Sequence, residues 1–144
     1  MVLKVNLSDL LKENKLKKIN RDLLQAKECL NAATHDLATA EKLVGEDNDW
    51  ALVIAYNAML QSARALMFAE GFTTVGEAHH KIVVDYAEVK LGSKFREKID
   101  LFDSLRKKRN QAVYEKRGFV TEFEAKHAIK TAKEFVEIVK QKLG

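Results

Sequence analysis

Arg106, Arg109, Asn110 and Tyr114 lie close together in the stretch Leu101-Phe102-Asp103-Ser104-Leu105-Arg106-Lys107-Lys108-Arg109-Asn110-Gln111-Ala112-Val113-Tyr114. They bring together guanidinium forks, an amide and a phenol. Donors of this kind suit phosphate, because a guanidinium is always charged and can grip two oxygens at once. Such a set can bind a nucleotide, or hold a phosphodiester and stabilise the charge that develops as it is cleaved. A second polar set, Asn57, Gln61 and Arg64, stands at i, i+4 and i+7 in a segment that is otherwise apolar from Trp50 to Glu70.

Helices must position both sets. In the first stretch apolar residues recur at three- and four-residue steps, which predicts a helix. At about 100° per residue, Leu101, Leu105 and Ala112 lie within roughly 40° of one another, and Phe102 and Val113 widen the stripe to about 120°. Arg109 falls at about 80°, inside that stripe. Arg106 and Asn110 sit at its edge, and Tyr114 just beyond. A guanidinium on an apolar face is costly unless it is paired or faces a polar cleft. The bland alternative is an arginine that snorkels to water or pairs with a carboxylate on a neighbouring helix. Lys98 falls on the same face, so the pattern arises readily. In the second segment, a helix that is apolar almost all round is a central one. Its polar strip then faces solvent, a partner or a cleft.

The other elements follow in order. Residues from about Asn6 to Lys18 predict a short amphipathic helix capped by Asn6, an arm over residues 1–19. Asn20 is expected to cap the next helix, with Ile19 and Leu24 as a hydrophobic staple, and Gly45 to end it. His35 reads as a surface or packing histidine. Gly71 ends the central helix. Thr74 and Glu77 form a capping-box pattern before a helix carrying His79, His80, Ile82, Val83, Tyr86 and Val89, which stops at Gly92. The adjacent histidines point about 100° apart, so they cannot share a metal as an i, i+4 pair does. The helix with Arg109 runs from about Ser93 to Lys116, and Gly118 breaks it. Thr121 and Glu124 form a second capping box, opening a last helix over about 122–143 that packs through Phe123, Ala128, Ala132, Phe135, Val136 and Val139.

Composition supports this reading. The 144 residues include no proline and six glycines. That favours one all-α domain over 1–144, an up-down bundle of four to five helices with a short N-terminal arm. The net charge of +4 permits nucleic-acid contact without demanding it. Cys29 is the single cysteine, so no intrachain disulfide or cysteine metal motif can form. No metal site and no cofactor is expected: there is no Gly-rich phosphate loop, no nucleophile in a recognisable setting and no metal-ligand helix pattern. The N-terminus lacks the apolar core of a signal peptide, and no apolar run is expected to reach a membrane span, so the expected location is the cytoplasm.

Two segments carry a family resemblance. Ala55-Tyr56-Asn57-Ala58-Met59-Leu60-Gln61-Ser62-Ala63-Arg64-Ala65-Leu66, followed by Gly71, is similar to the aromatic-x-Ala-Met/Ala-x-x-x-Ala-Arg-Ala-Leu helix of the HEPN family (higher eukaryotes and prokaryotes nucleotide-binding). Leu105 to Tyr114 is similar to that family's Arg-Asn segment near the end of its fourth helix. A histidine in the intervening helix, as at His79 or His80, is also seen in relatives. The resemblance covers about residues 20–143. It implies a helical bundle that dimerises. It also implies metal-independent endoribonuclease activity, often as a toxin encoded beside a minimal nucleotidyltransferase, or binding of nucleotide or RNA without cutting. The family's catalytic motif is Arg, four to six residues, then His. Arg109 matches the arginine and Asn110 the polar residue after it, but Tyr114 stands where the histidine belongs. Relatives with Arg-Asn-x-x-x-Tyr also occur. Tyrosine's reference pKa is about 10, whereas histidine exchanges protons near neutrality.

Three readings therefore compete. The first is an RNA-directed protein with Arg109, Asn110 and Tyr114 as catalytic residues and Arg106, Arg64, Gln61 and Asn57 as substrate contacts. The second is a non-catalytic module for nucleotide, RNA or a nucleotidyltransferase. The third is a structural helical dimer with Arg109 in an interface ion pair.

Overall fold

The computed structural model describes residues 6–76 and 79–144. The expectations for the extreme N-terminus and for Glu77 of the first capping box lie outside the described residues. The chain is an all-α bundle, with helices α1 (Leu7–Lys12), α2 (Leu23–Leu43), α3 (Asn48–Glu70), α4 (His79–Leu91), α5 (Arg96–Asn110) and α6 (Glu122–Leu143). A 3₁₀ turn, Ser93–Phe95, leads into α5, and a π-helical turn, Gln111–Glu115, leaves it.

The arm departs from expectation. Helix α1 stops at Lys12, and Asn14 takes a left-handed conformation, φ 57°, which ends a helix and which asparagine tolerates. The chain then extends as strand β1 (Leu16–Lys18), antiparallel to strand β2 (Phe72–Thr74), with Leu16 opposite Thr74 and Lys18 opposite Phe72. Extended pairing continues beyond the ladder, with the Ile19 N–H donating to the Gly71 carbonyl at 2.9 Å. Residue 20 is therefore still in extended chain, and Asp22 rather than Asn20 caps α2 by accepting from the Gln25 N–H. No staple forms, because Leu24 is 70% exposed.

Helix α3 is the axis. It packs on α2, α6, α4 and α5, and most of its residues are buried, from Ala51 and Leu52 through Tyr56, Met59 and Ala63 to Leu66. By length and composition alone this helix could cross a membrane, contrary to the expectation from the sequence. The other helices cover it, and 72% of its most apolar window is buried, so core burial accounts for its apolarity. Tyr56, Phe102 and Phe135 stack in tilted pairs at 5.7 and 5.1 Å between centroids, tying α3, α5 and α6 together. Gly71 ends α3 at φ 88°, and a Cβ there would sit 2.9 Å from the Ile19 carbonyl oxygen. Only glycine suits both demands.

The two ends of the α5–α6 connection are pinned. Asp49, 5% exposed, accepts from the backbone N–H groups of Gly118 and Val120 and from Arg117 Nε. Thr121 and Glu124 close the expected capping box at the start of α6. Phe123 does not pack: it is 77% exposed beside His127. It sits in the first turn, outside the face that α6 buries through Ala125, Ala128, Ala132 and Phe135.

Candidate phosphate-binding site

The arginine stretch occupies the last turns of α5, whose buried residues Ile99 and Phe102 fix its inner face. Lys98 and Arg109 share that face in sequence but meet different fates. Lys98 Nζ reaches Glu134 Oε1 on α6 at 2.8 Å, the bland pairing. Arg109 is half-buried and has no carboxylate within ion-pair distance among the described residues. Its Nη1 donates to Asn110 Oδ1 at 3.1 Å, and its guanidinium lies over the Tyr114 ring at 5.5 Å. The charge is thus oriented by neutral groups and left uncompensated.

Arg106 is paired on its own helix, with Nε 2.9 Å from Asp103 Oδ1. Burial pushes Asp103 up, but hydrogen bonding and charge from Arg106, with Lys81 and Lys107, outweigh it and hold the carboxyl below its usual range. Arg106 is therefore partly neutralised, whereas Arg109 is not.

Tyr114 does not continue the helical arc. The π turn shifts the chain, with the Lys116 N–H reaching back to the Gln111 carbonyl at 2.8 Å. Single π turns inside helices recur at functional sites. Here the turn leaves Tyr114 74% exposed beside Arg109.

The central-helix strip divides. Asn57 Nδ2 is committed to Asp36 Oδ2 on α2 at 2.8 Å, so that donor is occupied. Gln61 is half-buried and makes no hydrogen bond to the arginines among the described residues. Arg64 lies over the Phe68 ring at 5.9 Å and has no carboxylate within ion-pair distance among the described residues. It adds positive charge to two neighbours. It opposes the burial that pushes the Cys29 thiol up, and it acts on His80. Cys29 itself is a buried packing residue, as its setting in α2 suggested.

His80 is the member that residue-by-residue reasoning missed. Its Nδ1 lies 3.1 Å from the hydroxyl of Tyr56, a residue only 1% exposed. Burial pushes the imidazole below its ordinary value, and the positive charges of Arg109, His79, Arg64 and Arg106 push it the same way. Helices α3, α4 and α5 thus converge on one half-buried ring. The neighbouring His79 turns to Thr74, with Nδ1 2.7 Å from Oγ1. The signal in the sequence was the aromatic of the first motif, Tyr56, whose hydroxyl needs a buried partner. Among the described residues no group of three or more His, Cys, Asp or Glu could hold a metal ion. A groove of about 370 Å³ lined by Arg21, Leu23, Leu30, Leu66 and Leu143 shares no residue with this cluster.

The solved structure of TT1696 from Thermus thermophilus is similar in fold, with a TM-score of 0.63 at 22% identity over 82% of this chain and 98% of that one. Among curated proteins none matches the chain. The sequence profile of the HEPN domain matches residues 26–142, from within α2 almost to the end of α6 and across every residue of the candidate site, and the chain therefore belongs to the HEPN family.

Proposed function

We propose that the protein binds the phosphates of RNA or of a nucleotide, with Arg109 as the central contact and Arg106, Asn110 and Tyr114 around it. One observation carries the reading: Arg109 is half-buried and held in place, yet no carboxylate faces it among the described residues. An oriented and unneutralised guanidinium is a ready phosphate clamp. The same observation weighs against an arginine paired within its own chain, as Lys98 is; an ion pair to a second copy is the alternative that the assembly test addresses.

In its stronger form the reading is a metal-independent endoribonuclease, the toxin half of a toxin–antitoxin pair whose partner is a minimal nucleotidyltransferase. Arg109 would then offset charge building on the phosphate oxygens as the phosphodiester breaks. In its weaker form the protein binds without cutting. Tyr114 favours the weaker form, since it is mostly exposed and no general base is hydrogen-bonded to it among the described residues. The resemblance supplies a further part of the proposal, a homodimer in which two such segments line one cleft.

Incubation of the purified protein with RNA in EDTA separates the two forms. Cleavage that Arg109→Ala abolishes supports the stronger one. Absence of cleavage leaves the weaker one, for which RNA affinity must fall as salt rises and Arg109→Ala must reduce the slope by about one. Salt-independent binding would sink the phosphate reading altogether.

A further inference from the structure

The hydrogen bond between Tyr56 and His80 fixes more than a side-chain position. The Tyr56 hydroxyl is buried, and its one hydrogen-bond partner among the described residues is His80 Nδ1. A buried hydroxyl donates where an acceptor is within reach. Burial pushes the Tyr56 phenol up, so it keeps its proton. Nδ1 is therefore the acceptor, and the neutral ring carries its proton on Nε2. Nε2 has no hydrogen-bond partner among the described residues, and it is not one of the buried polar atoms left unpaired. The residue is only part-buried, on the helix that packs against α5, which carries Arg109 and Arg106.

We propose that His80, oriented by Tyr56, is a ligand-contacting member of the arginine site and takes up one proton from solvent when a phosphate-like dianion docks there. This rests on the phosphate-binding reading above and adds the way in which the site responds to charge. The charged and polar groups that face the ring among the described residues are these. Arg64 and the Tyr56 hydroxyl face it from α3, Arg106 and Arg109 from α5, and His79 from its own helix. Asp103 balances Arg106, and Lys81 is paired with Asp85. Burial first, and then the positive field of these described groups, keep the free ring neutral at neutral pH. A docked dianion cancels that field and accepts a hydrogen bond from Nε2–H. The incoming proton goes to Nδ1, and the Tyr56 hydroxyl turns from donor to acceptor; its own O–H then loses its partner among the described residues, a cost that the anion's charge and hydrogen bond must exceed.

The sign follows from linkage. The anion raises the His80 value from below the ordinary 6.5. Affinity is therefore flat above the value in the complex, rises as pH falls through it, and levels off below the value in the free protein.

Sulfate is the probe, because it remains a dianion across this range and any pH dependence belongs to the protein. Sulfate binding is measured by calorimetry from about pH 8 to about pH 5, spanning the ordinary histidine value. His80 is followed in the wild type by NMR, so the result does not depend on a variant folding. The expected result is a tightening that approaches about tenfold per pH unit within the window. His80→Gln flattens it while weaker binding persists, and His79→Gln leaves it in place. Arg109-dependent binding that is flat with pH overturns the role of His80 and leaves the phosphate reading intact. A slope that survives in His80→Gln overturns it as well. Sulfate that binds at no pH overturns both.

Discussion

The Tyr56 hydroxyl sits 3.1 Å from Nδ1 of His80, with the two rings inclined by 38° and their centroids 5.7 Å apart. This contact joins the core to the candidate site: Tyr56 packs on Phe102 inside the bundle, while His80 lies among the arginines. Tyr56→Phe keeps the ring packing and removes the bond. It should cost about 0.5–1.5 kcal/mol in stability, the net worth of one such hydrogen bond. It should also mix the two neutral tautomers of His80, which ¹⁵N shifts report directly. An unchanged Nε2–H tautomer in the variant would show that Tyr56 does not set it.

Asp49 is the clasp on the α5–α6 connection. Burial pushes its carboxyl up, but two backbone N–H groups and Arg117 outweigh this and hold it below its ordinary 3.8. A depressed folded value means that the stabilisation is complete above the unfolded value and is lost as pH falls through the folded one. The loss should therefore appear only below about pH 4. Asp49→Ala should cost about 1–3 kcal/mol at neutral pH, since the buried Val120 N–H loses its acceptor and the connection loses its ties through Gly118 and Arg117. It should also remove that part of the acid dependence, as denaturant titrations at neutral and acid pH would reveal. Equal stability of variant and wild type at neutral pH would refute the clasp.

Assembly has its own test. Two copies of the Arg109–Tyr114 segment meeting across a two-fold axis would bring four arginines, Arg106 and Arg109 from each chain, into one cleft. Like charges at that spacing repel unless an anion lies between them. Sulfate should then raise the melting temperature of a dimer, because it binds the assembled state. Sedimentation at micromolar concentration decides the first point: a monomer ends the shared-cleft model. A dimer whose melting is indifferent to sulfate keeps the assembly and removes the anion.

Gly71→Ala should be more damaging than its size suggests. The residue has φ 88°, and the added methyl would lie 2.9 Å from the Ile19 carbonyl oxygen. Both the backbone preference and the contact oppose it, so a loss of more than about 1 kcal/mol is expected in thermal melts. A neutral substitution would mean that the arm is not held where the structure places it.

Much of the bundle was legible because its signals are local. Gly45, Gly71 and the Thr121–Glu124 box each announce themselves within about one turn of helix, and the nearly all-apolar α3 does so along its own length. The arm was misread because Leu7, Leu10 and Leu11 do share a helical face and no glycine or proline marks a stop before Lys18, while the competing choice, pairing with Phe72–Thr74, is invisible from the segment itself. The arginines were found from an energetic conflict on one face of α5. That conflict could not distinguish Lys98, which found Glu134, from Arg109, which found no carboxylate. His80 was overlooked as a site residue because its meaning depends on three helices meeting. Tyr114 was placed by extrapolating an α-helix through what proved to be a π turn.

The strand pair has a temporal consequence. Leu16–Lys18 leave the ribosome well before Phe72–Thr74 exist to receive them, whereas α2 and α3 between them can zip together as soon as both have emerged. The first part of the described chain to be made is thus among the last to dock. A ladder this short, with a few flanking backbone bonds, is a seam that should open reversibly before the bundle does. Because β2 lies shortly ahead of α4, each such opening would loosen the approach to the helix that carries His80, and hydrogen exchange should find the seam as a separate, faster-breathing unit.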